Sequence, residues 1–167
     1  MTATGTRGNV LITKGTRPLA QRVAKLLPAG SCILFGSSDE VPDVLLRTGN
    51  YLRIPRADAA AFVHEVLKIC LDREVATLIP LGADELYPMA EARLLFDEYG
   101  IAVCVPEKAR LTDLVVIENP PRQLPLLVLH DGRPIHDADG AGQYDGLSGV
   151  FTPSDSGDEW ALCCIAD

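Results

Sequence analysis

Three glycine-containing segments place charged and hydroxyl side chains directly after apolar runs that have the length of β-strands. The carboxyl ends of parallel strands meet at one edge of a sheet, and helices that begin there offer free backbone amides to an anion. We therefore predict a site for a small anion at this edge, with positive charge from Lys14 and Arg17. The candidate ligand-binding residues are Lys14, Gly15, Thr16, Arg17, Gly36, Ser37, Asp39, Gly82, Asp84 and Glu85.

Each part of this predicted site also has a purely structural explanation. Gly15 and Gly36 are typical of tight turns, and the chain lacks the Gly-x-Gly-x-x-Gly spacing of a dinucleotide fingerprint. Asp39 follows Gly15 at about the distance at which an acid grips a ribose hydroxyl, although acids are common in such loops. Asp84 and Glu85 fall in the first turn of a predicted helix, where the helix dipole favours carboxylates.

Other reactive side chains lack partners at catalytic spacing, so no catalytic residue is predicted. Arg53 and Arg56 flank Ile54-Pro55, where they either hold an anion or are solvated. His130 and His136 lie on either side of a hairpin signal, and we expect surface roles for them. Since no histidine has ligand spacing with a cysteine, no metal site is predicted.

The cysteines form neither a Cys-x-x-Cys pair nor a Cys/His cluster. We expect buried, free thiols in a reducing compartment. Cys163 and Cys164 are adjacent in a predicted strand, so they should point to opposite faces and only one of them needs to be buried. The five cysteines are Cys32, Cys70, Cys104, Cys163 and Cys164.

The apolar pattern of the first two-thirds of the chain predicts alternating strands and helices. Continuous apolar strands separated by helices indicate a parallel sheet that is covered on both faces. The expected fold class is α/β, a three-layer α/β/α Rossmann-like parallel sheet. Strands are expected at 9–13, 31–35, 51–54, 76–80 and 101–105, and helices from Pro18 to about 27, within 40–50, at 59–73 with Asp58 as its N-cap, and from Gly82 to about Tyr99 with Gly100 as its stop.

The sequence changes character after residue 107. Residues 108–123 are predicted to be a connector, in which 108–118 forms either a helix or a strand before Pro120-Pro121. Residues 124–129, 147–152 and 159–165 have strand-like patterns, and Asp131-Gly132 is a hairpin signal. We therefore predict a flexible N-terminus at 1–8, a Rossmann-like domain at 9–107 and a small acidic antiparallel β appendage at 124–167.

Charge and hydropathy exclude several classes of partner. The net charge is −8, and residues 119–167 hold 8 of the 23 acidic residues but only 2 of the 15 basic ones. Such a segment repels phosphate backbones, so nucleic-acid binding is not expected. No apolar run reaches the roughly 18 residues that span a bilayer, and the polar N-terminus lacks a signal-peptide core. We expect a cytoplasmic protein that contacts no membrane.

The order of four segments gives the chain a family resemblance. They are NVLIT-KGTRPLAQRVAKLL, CILFGSSD, YLRIPRAD and ATLIPLGADELYPMAEARLLFDEYGIAVCVPE. In this order, residues 9–107 resemble the pre-ATP-grasp domain of ATP-grasp ligases, the biotin carboxylase N-terminal-like fold. The resemblance implies a Rossmann-like fold and a substrate cleft that is faced by an acid in the segment after Ile79-Pro80.

In that family a large two-lobed ATP-grasp module follows and holds ATP and Mg²⁺. Residues 108–167 contain neither a Gly-rich strand pair with a following lysine nor a spaced Glu…Asn metal pair. The resemblance therefore implies a stand-alone domain that is non-catalytic by itself. It would bind a small anionic metabolite or nucleotide, or dock onto a separate ATP-grasp subunit. The sequence identifies no cofactor.

Two other functions remain open at this point. An NAD(P)-dependent Rossmann oxidoreductase would use Asp39 to hold a ribose, but the chain has no Tyr-x-x-x-Lys pair. A structural module without a ligand would use the acidic appendage either to cover the face where an ATP-grasp module sits or to form a homodimer.

Overall fold

The computed structural model describes residues 8–136, 144, 146–153 and 159–166. Apart from Gly8, the predicted flexible N-terminus lies outside these residues. The strands are β1 (Asn9–Ile12), β2 (Ile33–Ser37), β3 (Tyr51–Arg53), β4 (Val75–Ile79), β5 (Ala102–Val103), β6 (Val115–Glu118), β7 (Leu127–His130), β8 (Arg133–Pro134), β9 (Gly149–Pro153) and β10 (Trp160–Cys164). The helices are α1 (Pro18–Leu26), α2 (Asp43–Leu46), α3 (Phe62–Asp72), α4 (Ala83–Glu91), α5 (Arg93–Glu98) and α6 (Lys108–Leu111).

The first sheet is parallel and has the strand order β3-β2-β1-β4-β5. At its centre, Leu11 of β1 lies opposite Leu34 of β2 and Leu78 of β4. The chain moves outward through β2 and β3 and then returns to the other side of β1, so the strand order reverses between β1 and β4. Such a switch point is where α/β folds leave a crevice at the carboxyl ends of their strands. The predicted α/β class with a parallel sheet is confirmed.

Alternate residues along the central strand supply two separate cores. Ile12 packs with Leu19 and Val23 of α1, whereas Leu11 packs on the other side with Phe62 and Val66 of α3. The apolar residues of both helices recur every four positions, which is the spacing that gives a helix one apolar face. Helix α1 therefore covers one face of the first sheet, and α3 covers the other together with α4 and α5.

The second sheet is mixed, with the strand order β6-β10-β9-β7-β8. Strand β6 runs parallel to β10, and the other neighbouring strands are antiparallel. The expected C-terminal β structure is present, but it is not purely antiparallel and it begins earlier, since α6 and β6 lie within the predicted connector. A parallel pair needs a long crossover, which the chain through β7, β8 and β9 provides.

The second sheet shares both cores with the first. Leu127 and Leu129 of β7 join the core that contains α3, while Val128 between them joins the core that contains α1. At the end of β10, Ile165 bridges in parallel to Gly82, beyond the end of β4. The two sheets are thus held together by packing and by a backbone bridge at the carboxyl edge of the first sheet.

Two local predictions on the α3–α5 side are wrong. The single helix expected from Gly82 to Tyr99 is interrupted at Ala92, after Pro88, which has no amide to donate within α4. Asp58 does not cap α3, because the N-cap is Ala61 and the Asp58 carboxylate instead lies 3.3 Å from the Arg56 guanidinium.

The predicted turn residues adopt the backbone that their positions require. Gly100 ends α5 with a left-handed φ of 76°. Asp131 and Gly132 join β7 to β8 with φ values of 49° and 78°. Both central residues of a two-residue hairpin turn of this kind need positive φ, which an Asp-Gly pair tolerates.

All five cysteines are free, but Cys32 is exposed, so the expectation of buried thiols is wrong for this residue. Burial raises the pKa of Cys70 and Cys104 to about 12 and that of Cys163 to about 11, so these thiols stay protonated at neutral pH. Cys163 and Cys164 enter opposite cores as expected, and both are buried.

Among the described helices the longest, α3, has 11 residues. None of the helices in this part of the chain combines the length and the apolar character needed to cross a lipid bilayer.

Candidate functional site

The inner part of the predicted anion site lies where β1 and β4 end. Lys14 Nζ is 3.7 Å from Asp84 Oδ1, and the Lys14 side chain is only 6% exposed. The Thr13 hydroxyl accepts a hydrogen bond from the Leu81 amide at 2.8 Å. Lys14 has a left-handed φ of 51°, which costs about 1 kcal/mol or more in a non-glycine residue and persists only when its surroundings enforce it.

Glu85 is a buried acid in this inner part. Glu85 is 2% exposed, and its Oε2 atom has no hydrogen-bond partner among the described residues. Desolvation raises the pKa of Glu85 to about 7, against the opposing effects of a hydrogen bond from Thr13 and the charge of Lys14. Near neutral pH the carboxyl group is therefore shared between its protonated and ionised forms. We call Thr13, Lys14, Asp84 and Glu85 the switch-point cluster.

Backbone hydrogen bonds join the end of the second sheet to the segment after β4, next to the switch-point cluster. The Ile165 amide donates to the Leu81 carbonyl at 2.7 Å, and the Ile165 carbonyl accepts from the Ala83 amide at 2.9 Å. A Cβ atom on Gly82 would lie 2.6 Å from both Lys14 Cε and Asp84 Oδ1, so any larger residue would require these side chains to move. Lys14 and Glu85 are both buried here, with exposed fractions of 5% and 2%.

The outer part of the predicted site joins the loop after β1 to the loop after β2. The Gly15 amide donates to the Gly36 carbonyl at 2.9 Å, and the Ser37 hydroxyl accepts from the Asp39 amide at 3.1 Å. Arg17 Nη2 lies 3.4 Å from Asp39 Oδ2, with both side chains about half exposed. Thr16 is exposed beside them, and Asp84 of the switch-point cluster is exposed as well, whereas Lys14 and Glu85 are buried.

Close packing explains one of the glycines of the outer part. A Cβ atom on Gly15 would lie 2.4 Å from the Cβ of Phe35, so no other residue fits without a backbone shift. Close packing is therefore a sufficient reason for a glycine at position 15, and the chemistry of the outer part rests on its charged side chains.

A pocket of about 230 Å³ opens next to Arg17, between the start of α1 and the segment that joins β6 to β7. Among the described residues, three arginines line it and no carboxylate does. We call it the arginine pocket. Its lining residues are Arg17, Pro18, Leu19, Arg22, Asn119, Pro120, Arg122 and Ile165.

The three arginines have different surroundings. Arg22 Nη1 donates to the Pro120 carbonyl at 2.9 Å and Nη2 donates to the Leu124 carbonyl at 2.8 Å, so this residue fixes the wall of the pocket and contributes its charge. Arg17 is held by Asp39 in an exposed ion pair, a kind of pair that contributes little to stability. Arg122 is exposed and has no ion-pair partner among the described residues.

The start of α1 adds to the positive potential of the arginine pocket. The N-cap residue, Arg17, makes no capping hydrogen bond with its side chain, and the first turn contains no acid. The first amides of a helix have no partner within the helix and carry a partial positive charge. Pro18 has no amide hydrogen and the Ala20 amide donates to the Arg17 carbonyl at 3.1 Å, so an anion in this pocket would meet the arginine side chains and the Leu19 amide.

The sequence identified one side of this pocket and missed the other. Arg17 and the start of α1 were predicted from the loop after β1. Arg22 lies on the same helix, and a helical projection of the arginines would have flagged it. Arg122 follows Pro120-Pro121 in a segment without periodicity, so no signal in the sequence placed it near α1.

The remaining candidate residues have structural roles or solvent contacts. Arg53 lies 4.0 Å from Asp43 and is largely exposed. His136 Nε2 accepts the Val128 amide at 3.0 Å and thus belongs to the β7–β8 hairpin. In the described ranges, no group of three or more His, Cys, Asp and Glu side chains is arranged to hold a metal ion.

Comparisons with known proteins leave the family of this chain open. No protein-family model matches the sequence, and a search of curated proteins finds no relative.

Proposed function

We propose that this chain is a Rossmann-like domain that binds a small anion in the arginine pocket. The observation that carries the proposal is the local charge, because three arginines and, in the described part of the chain, no carboxylate line this pocket in a chain of net charge −8. The volume of about 230 Å³ is below the roughly 300–1,000 Å³ of pockets for drug-sized ligands. It suits a phosphate or short carboxylate rather than a whole dinucleotide.

We further propose that the domain is a relative of the pre-ATP-grasp fold and does not catalyse a reaction by itself. The parallel sheet, its switch point and the acids that follow β4 support this proposal. The five free cysteines fit a reducing compartment and support a cytoplasmic location. The oxidoreductase alternative has less support, since Asp39 is engaged with Arg17 and the adjoining pocket is small.

Titration calorimetry with inorganic phosphate tests the anion site. Arg122→Gln removes one exposed charge from the pocket and should weaken phosphate binding by about tenfold, the equivalent of roughly 1.4 kcal/mol. Arg47→Gln is the matched control, because Arg47 is an exposed arginine outside the pocket. Absence of saturable binding by the unaltered protein, or an equal loss in both variants, would contradict the proposal.

The outer edge of β6 favours a second function, association with a second copy of the chain. Val115 and Val116 are 58% and 44% exposed, and β6 is the edge strand of the second sheet. Exposed apolar edge strands readily pair with other strands. Antiparallel pairing of β6 with itself would set Val116 against Ile117 and Val115 against Glu118, so that no like charges oppose each other across the two-fold axis.

Light scattering on a size-exclusion column tests this association. The unaltered chain should elute with the mass of a dimer, and Val116→Lys should elute as a monomer because it places two ammonium groups at the centre of the contact. Val44→Lys is the control, since Val44 is also exposed but lies on α2. A monomeric unaltered chain would rule this function out.

A further inference from the structure

A second cleft, larger than the arginine pocket, lies on the other face of the first sheet and has the opposite charge. It measures about 590 Å³ and lies between the helical segment formed by α4, α5 and α6 and the β7–β8 hairpin. Four carboxylates and two cationic side chains line it, together with His130. We call it the acidic cleft.

Both cations of the acidic cleft are already paired. Arg93 Nη2 lies 3.1 Å from Asp131 Oδ1, and Lys108 Nζ lies 3.6 Å from Glu91 Oε1. Lys108 is also 4.9 Å from the centre of the Tyr87 ring, a distance at which cation and ring attract each other. An anionic ligand would therefore have to displace a carboxylate of the protein from its partner.

Two carboxylates of the cleft, those of Asp97 and Glu107, have no ion-pair partner within the described ranges. His130 also lines the cleft. Its Nδ1 atom is buried and has no hydrogen-bond partner among the described residues, while Nε2 lies 3.4 Å from Asp131 Oδ2. With its paired charges cancelled, the cleft retains the two negative charges of Asp97 and Glu107. It therefore attracts a cation.

Two observations indicate an organic cation rather than a metal ion. Among the described residues, no set of three His, Cys, Asp and Glu side chains is close enough to form a metal site. The cleft also has an apolar side, on which Leu94 is 78% exposed. A hydrocarbon chain would cover this exposed surface, whereas a hydrated metal ion would not.

We propose that the acidic cleft binds a small aliphatic amine. The ammonium group would lie against the carboxylates of Asp97 and Glu107, and the carbon chain would lie along Leu94. The cleft is large enough for a linear diamine, and small-molecule pockets of this volume are common. This inference is independent of the anion site, because the arginine pocket shares no residue with the acidic cleft.

The test is a titration of the full chain with cadaverine, a linear diamine, followed by amide chemical shifts in NMR spectra. Saturable shifts around Asp97, Glu107 and His130 are expected. Asp97→Asn and Glu107→Gln should each weaken binding about tenfold or more, the range for loss of a charged hydrogen bond. Glu98→Gln is the matched control, since Glu98 is an exposed acid on the same helix that does not line the cleft.

Two further ligands separate the amine from other occupants. Pentanediol has a similar chain length without charge, and it should bind at least tenfold more weakly than cadaverine. Mg²⁺ alone should cause no saturable shift at these residues. Equal binding of pentanediol, a saturable response to Mg²⁺, or an equal effect of Glu98→Gln would each overturn the proposal, as would the absence of a response to cadaverine.

Discussion

The arginine pocket and the acidic cleft differ in sign although they belong to one chain of net charge −8. The arginine pocket is formed by α1 and the segment after β6, on one face of the first sheet. The acidic cleft is formed by α5, the start of α6 and the β7–β8 hairpin, on the other face. The comparison shows that the ligand charge accepted at a site follows from the few side chains that line it. The net charge of the chain is therefore a poor guide to the charge of the ligand that a site accepts.

The two sites also differ in how their charges are held. In the arginine pocket the most rigidly bound cation, Arg22, donates to two backbone carbonyls and keeps its positive charge without a carboxylate. In the acidic cleft each cation is neutralised by an acid. Carbonyl partners fix an arginine in place and leave its charge available, whereas carboxylate partners cancel it.

Removal of Arg22 should have the largest effect, because Arg22 lines the arginine pocket and does not line the acidic cleft. Arg22→Leu loses two charged hydrogen bonds to carbonyls, so we expect it to lower the free energy of unfolding by about 4 kcal/mol and to abolish phosphate binding. Cadaverine binding should persist below the melting temperature. Urea denaturation measures the change in stability, with Arg47→Leu as control. Equal stability of the two variants would show that the contacts of Arg22 are not structural.

Glu85 of the switch-point cluster lines neither the arginine pocket nor the acidic cleft, so its substitution should change the binding of neither ligand. Glu85 has a pKa of about 7 in the folded chain and 4.5 as the ordinary value, because burial favours the neutral form. Between these values the folded chain retains a proton that the unfolded chain has released. Stability therefore falls as the pH rises from 4.5 to 7, by up to about 3 kcal/mol, and is constant above that range.

Glu85→Gln should remove this pH dependence and be more stable than the unaltered chain above pH 7. Denaturation in urea at several pH values measures the effect, and Glu65→Gln on the exposed side of α3 is the control. A similar pH slope in the unaltered chain and in Glu85→Gln would mean that the acid does not hold its proton in the folded state.

The smallest effect is expected for Asp39, whose carboxylate pairs with Arg17 beside the arginine pocket. Asp39→Asn releases Arg17 from an exposed ion pair, so stability should change by less than about 1 kcal/mol. Phosphate binding should strengthen a few-fold, since Arg17 becomes available, and cadaverine binding should stay unchanged. Asp58→Asn, which disrupts the exposed pair with Arg56, is the control. Weaker phosphate binding by Asp39→Asn would argue that Asp39 positions Arg17 for the ligand.

The sequence predicted the first sheet well because its signals are local. Apolar runs such as that of β1, the proline at the start of α1 and Gly100 after α5 each act within a few residues. The parallel pairing of β6 with β10 was not predictable in this way, since it joins segments that are far apart in the chain. The break at Ala92 also escaped prediction, because the apolar spacing continues from α4 into α5.

The candidate site was likewise predictable only where its sequence signals are local. The loop after β1, with Lys14 and Arg17, followed from the strand–helix pattern. The burial of Lys14 and Glu85 did not, because it depends on how distant segments pack around the switch point, where Ile165 at the end of the second sheet bridges to Gly82. Arg122 likewise reaches α1 only through the tertiary fold. Local patterns locate strand ends, and long-range packing decides which side chains face solvent there.

One NMR experiment tests the central claim that the two sites select ligands of opposite charge. A single sample of the unaltered chain is titrated first with inorganic phosphate and then with cadaverine. We expect phosphate to shift the amides around Leu19 and Arg122, and cadaverine to shift those around Asp97 and Glu107, with each set saturating independently. Shifts of the same residues by both ligands, or non-saturating shifts spread over the whole surface, would contradict the claim.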